Sequence, residues 1–117
     1  MKIVDIPFTK LSPGDIARPW LSVTVINPHL GRQINVLGLI DTGADECALP
    51  KEINTGNGVT MAYAHTSQIR VAGFTVEQTL IDFMPNLSVP LLGMKNFLSN
   101  FILTVDYPNL RFSLERR

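Results

Sequence analysis

The chain has a single cysteine, Cys47, among its 117 residues, so no intrachain disulfide and no cysteine-based metal cluster can form. Histidine is almost as scarce. His29 and His65 stand alone with no second ligand at metal-binding spacing, and no metal is expected. Charged residues make up only 17%, ten acidic against ten basic, which gives no electrostatic basis for binding nucleic acid or an anionic membrane. No apolar run approaches the ~20 residues of a membrane-spanning helix. The opening Met1-Lys2-Ile3-Val4-Asp5 lacks the apolar stretch of a secretory signal, so a soluble, cytoplasmic protein is the expectation. What is plentiful is apolar side chain, at 45%, which sets the chain apart from disordered sequences. The length suits one core rather than two. Zero net charge gives a lone monomer little protection against association, so some apolar surface is expected to lie against another chain.

The patterning is all-β. Leu21, Val23 and Val25 alternate with Ser22 and Thr24, the period-2 mark of a half-buried strand. After a turn around Pro28 and Gly31, residues 34–40 are apolar nearly throughout and predict a strand buried on both faces that stops at Asp41. Cys47-Ala48-Leu49 reads as a short strand stopped by Pro50. Asn54-Thr55-Gly56-Asn57-Gly58 is the richest turn signal, flanked by predicted strands at 59–64 and 68–71. Ala72-Gly73 predicts a tight turn into a long strand over 74–83, and residues 94–100 predict a helix of about two turns. Strands at 101–105 and 110–114 flank Tyr107-Pro108-Asn109. Met61, Met84 and Met94 are expected to fill the core, Cys47 to act as a small buried apolar group, and Trp20 to lie in the core or an interface.

Asp41 sits where a buried strand ends, and Thr42-Gly43 follows it. A carboxylate there needs hydrogen bonds, and a glycine two residues on lets backbone amides approach it. A plain Asx turn would give the same three residues. Context adds weight: Leu39-Ile40 precedes, Ala44 follows, and an apolar pair with glycine, Leu91-Leu92-Gly93-Met94, lies downstream.

Asp41-Thr42-Gly43-Ala44-Asp45, the glycine-bearing turn at 56–58, and Leu91-Leu92-Gly93-Met94 followed by Phe97-Leu98 resemble the retropepsin family. The likeness is greatest to its single-lobe members from bacteria and retroelements, and spans residues 20–114. It implies an all-β, closed retropepsin-like (acid protease) barrel with one short C-terminal helix, in one domain over 1–117 with an N-terminal arm at 1–19. It implies an aspartic endopeptidase acting on extended peptides without cofactor. Asp41, Thr42 and Gly43 would form the catalytic loop. Ala44 and Asp45, with Gly56, Asn57 and Gly58 of a flap, would bind substrate.

Two carboxyls must share a proton for this chemistry, and the chain has one Asp-Thr-Gly. Asp5, Asp15, Asp82 and Asp106 lack its setting, so the second carboxylate is expected from Asp41 of a twofold-related copy, in a homodimer. The residues around Ile3 and Ile6 and the strand to Leu114 are expected to interleave with a partner's as an intersubunit sheet, the alternative being that they close each barrel. By the resemblance, Asp45 pairs with an arginine. Here Lys95 or Arg18 replaces it, or Asp45 is a solvated turn acid. Only Pro50-Lys51-Glu52-Ile53 separates the catalytic loop's strand from the flap, which leaves open a catalytically silent dimerisation or peptide-binding module. A small-ligand barrel would leave the Asp41 turn unexplained. Also open is whether Ser12-Pro13-Gly14-Asp15 blocks the cleft.

Overall fold

The computed structural model describes residues 2–28, 31–50, 66–84, 87–95 and 97–117. The predicted flap at 56–58, the strand at 59–64, both histidines and Met61 lie outside these residues. Among the described residues nine strands follow in chain order: β1 (Lys2–Pro7), β2 (Trp20–Asn27), β3 (Arg32–Ile40), β4 (Cys47–Pro50), β5 (Thr66–Val71), β6 (Phe74–Met84), β7 (Leu91–Leu92), β8 (Phe101–Asp106) and β9 (Arg111–Arg116). No helix among the described residues is long and apolar enough to cross a membrane.

Alternation builds β2. Leu21, Val23 and Val25 point inward and are buried, while Ser22 is exposed. β2 runs antiparallel to β3 from Trp20↔Leu39 to Asn27↔Arg32, and also to β5. β5 and β6 form the hairpin expected at Ala72-Gly73. Both residues have positive φ, 47° and 82°, the paired left-handed geometry that matches strand twist across a two-residue loop. β6 continues parallel to β4, and the two-residue β7 joins β4 to the end of β3. The pairings therefore run β2-β3-β7-β4-β6-β5 and back to β2. The thinnest joint is a single pair, Ala48↔Leu91.

The terminal strands do something else. β1 pairs with β9 of its own chain, and β9 with β8, in a separate antiparallel sheet. They do not close the barrel. One face of this sheet, with Phe112 and Leu114 fully buried, joins the main core. Tilted and edge-on ring pairs extend the contact: the Phe97 and Phe101 centroids lie 5.4 Å apart, those of Phe101 and Phe74 5.8 Å, and the Arg116 guanidinium sits 4.3 Å over Phe74.

Three expectations need correction. β3 is not buried on both faces: Leu37 is 41% exposed, because β7 reaches only Leu39 and Ile40 at its far end. The helix over 94–100 is a 3-10 turn at Leu98–Asn100. The Leu98 and Ser99 amides reach back five residues, to Gly93 and Met94, and Asn100 only three, to Phe97, so no regular α-helical ladder forms. Seven residues with Asn96, Ser99 and Asn100 among them are too few and too polar to nucleate one. Met94, expected in the core, is 43% exposed.

Leu114→Ala should cost about 2–5 kcal/mol of folding free energy, since it empties a fully buried site. Ile102→Ala, on an exposed side chain, should stay within about 0.5 kcal/mol. Urea unfolding measures both.

Candidate active site

Asp41 leaves β3 with its backbone tied on both sides. The amides of Leu39 and Asp41 donate to the carbonyls of Pro90 (2.9 Å) and Leu92 (3.0 Å), while the Ile40 amide between them donates to Pro19 (3.0 Å). The chain then turns. Ala44 N–H donates to Asp41 O at 3.2 Å, and Gly43 N–H donates to the carboxylate Oδ1 at 2.9 Å. This is an Asx turn that fixes the carboxylate over its own loop. A side chain at residue 43 would stand 3.3 Å from that oxygen, so glycine leaves the carboxylate uncrowded. Asp41 is half-buried, whereas Thr42 and Gly43 are exposed, so the loop presents them at the surface.

A second layer holds the loop from beneath. Met94 N–H donates to Ala44 O (2.9 Å) and Lys95 N–H to Asp45 O (2.6 Å). Gly93 packs so closely against this strap that a Cβ would lie 2.5 Å from the Glu46 carbonyl carbon and 2.9 Å from Ala44 O. Glycine is required here for close approach. Cys47 is buried beside the same glycine. Desolvation pushes its thiol from an ordinary 9.0 up to about 11, against the opposing pull of a hydrogen bond from the Gly93 backbone and with a small push from Glu46.

Asp41, Thr42, Gly43, Ala44 and Asp45 thus share one loop. Asp45 is exposed and tied to Lys95 through main chain; no ion pair links their side chains, nor Asp45 to Arg18, among the described residues. Gly56, Asn57 and Gly58 lie outside the described residues. Two of the other described acids have local duties. Asp106 accepts from the Asn109 backbone (3.3 Å) and side chain (2.8 Å), and Asp15 from the Ile16 amide (2.7 Å). No group of three or more His, Cys, Asp and Glu is placed to hold a metal among the described residues. Sequence reasoning missed Pro19, whose carbonyl steadies Ile40; a backbone acceptor leaves no side-chain signature.

The fold is shared with the crystal structure of a retropepsin-like aspartic protease from Rickettsia conorii. The TM-score is 0.61 at 19% identity, over 97% of this chain and 90% of that one. No protein-family model matches the chain, and no curated protein matches its sequence.

Gly93→Ala should destabilise by about 1–3 kcal/mol or more, because the obstruction is backbone. Gly14→Ala, with open space around it, should be near neutral. Chemical unfolding compares them. Because the folded Cys47 thiol holds its proton to higher pH than the unfolded one, the stability it contributes should be fully present below about pH 9 and be lost between 9 and about 11. In Cys47→Ala that loss should be reduced, as unfolding midpoints across the pH range will show.

Proposed function

We propose that this chain is one subunit of a homodimeric aspartic endopeptidase, acting as a single domain on extended peptides. The observation that carries the reading is the Asp41 loop: a carboxylate bonded to the Gly43 amide at 2.9 Å and held by parallel strand ends, with Thr42 and Gly43 at the surface. The retropepsin-like fold supports it.

One such carboxylate is an incomplete catalyst. Two carboxyls at about 3 Å share one proton, because both cannot ionise side by side. In the proposed dimer, the ionised Asp41 takes a proton from water as its oxygen bonds to the scissile carbonyl carbon. The protonated Asp41 of the other copy donates to the carbonyl oxygen. As the intermediate collapses, the C–N bond breaks and the amine leaves with a proton from the pair. Which copy is acid and which base is a property of the pair. Thr42 and Gly43 hold the two loops together across the axis. Ala44 and Asp45 line the substrate's main chain, and Gly56, Asn57 and Gly58 cover it as a flap. Peptide binds as an added strand, its side chains selected by apolar pockets, and no cofactor takes part. A lone buried thiol suits a reducing compartment, so we place the protein in the cytoplasm.

Asp41→Asn should lower cleavage of an unfolded protein substrate by about 10²–10⁴-fold or more, with the fold retained by circular dichroism. Full activity in that variant would refute the mechanism. The wild-type pH–rate profile should be bell-shaped and lean to acid, failing at higher pH as the pair loses its shared proton.

A further inference from the structure

Among the described residues, one buried side-chain polar atom lacks a hydrogen-bond partner: the indole nitrogen of Trp20. Trp20 is the single tryptophan of the chain and is only 5% exposed. An N–H taken out of water and given no acceptor is costly to keep. Trp20 also stands apart from the main core, which takes in its neighbour Leu21 but not Trp20 itself.

Strand register places Trp20 on a second face. It pairs with Leu39, Leu39 with Leu91, and Leu91 with Ala48. Residues paired in this way share a side of the sheet, so the four form one row across β2, β3, β7 and β4. Leu21, Ile40 and Leu92, one residue along each strand, belong to the core on the opposite side. Within the row Trp20 and Ala48 are buried, while Leu39 and Leu91 are half-buried. The row leads to Asp41. The amides of Leu39 and Asp41 donate in turn to Pro90 and Leu92, so the β3-β7 ladder runs on through Asp41. Its period of two returns the Asp41 side chain to the side of Leu39. Trp20 and Asp41 are then diagonal neighbours, at a separation of about 7–8 Å that an aromatic side chain can span. The indole N–H nonetheless makes no bond to Asp41.

We infer that this row walls a substrate pocket beside Asp41, in which Trp20 selects a neutral side chain that ends in an amide, as glutamine does. This rests on the peptidase reading above. Pockets of this kind are mostly apolar, with a few polar groups that fix what enters. Here the apolar wall suits the methylene stem of glutamine, and the indole N–H donates to the amide oxygen at its tip. None of the four residues in the row is charged, so glutamate would bring a carboxylate against an apolar wall with no cation to offset it. Methionine is of similar length but carries no carbonyl, and it would leave the indole N–H unpaired.

A single tryptophan gives a single indole signal in a proton–nitrogen correlation spectrum, so Trp20 reports directly on its own bond. The isotope-labelled full chain carrying Asp41→Asn is titrated with short apolar peptides in which one glutamine is moved position by position. The same peptides with methionine in its place serve as the comparison. Glutamine at one position should move the indole proton downfield, and methionine there should not. With the wild-type chain, glutamine at that position should raise kcat/KM over methionine by about five- to tenfold. Trp20→Phe keeps a ring but has no donor, and should bring that ratio to about one. Equal shifts from both peptide sets, no shift from any peptide, or a glutamine preference that survives Trp20→Phe overturns the inference. If glutamine moves the indole signal but no peptide is cut, the pocket stands and the peptidase reading fails. If peptides are cut while the indole signal stays put, the pocket alone fails.

Discussion

Backbone against backbone, at Gly93, is the contact on which the rest of the site depends. No Cβ fits between it and the Ala44–Glu46 main chain. This closeness lets β7 pair with β3 through both its residues and with β4 through Leu91. Gly38 repeats the theme one strand away, where a Cβ would stand 2.8 Å from Leu92 Cγ. Two glycines therefore bracket the buried Leu92, and the loop that carries Asp41 hangs between the strands Leu92 holds together. Main chain does most of the positioning of that loop.

Features readable from sequence were those fixed by neighbours along the chain. Alternation in β2 and β9 exposed their buried faces, and Ala72-Gly73 announced a turn whose positive φ values it can adopt. The Asp41 turn was legible because its hydrogen bond reaches only two residues, to Gly43. Errors arose where distant chain decided the outcome. An apolar run such as Val36-Leu37 looks the same whether or not a strand covers it, and here β7 stops short. Met94, Phe97 and Leu98 have helical spacing, but the Met94 and Lys95 amides are bound to the Asp41 loop.

The termini show a subtler limit. Alternation at Phe112 and Leu114 correctly marks a buried face but cannot say whose strand lies alongside. The structure answers with β1 of the same chain, in a pairing that the left-handed Asp5 locally distorts. Glycine motifs have a similar limit. Leu91-Leu92-Gly93 is recognisable as a pattern, while the reason for its glycine, the Glu46 backbone, appears only in three dimensions.

The pairing Lys2↔Glu115 also sets an order of events in time. It closes the longest loop among the described residues, and the entropy of that closure grows with the separation of its ends. During synthesis, β1 must wait for β9 before it has this partner. Folding should begin among the local hairpins β2-β3 and β5-β6, with the terminal sheet zipped on afterwards. Until then Ile3 and Ile6 are uncovered, which makes the nascent chain, rather than the finished one, the form most exposed to aggregation.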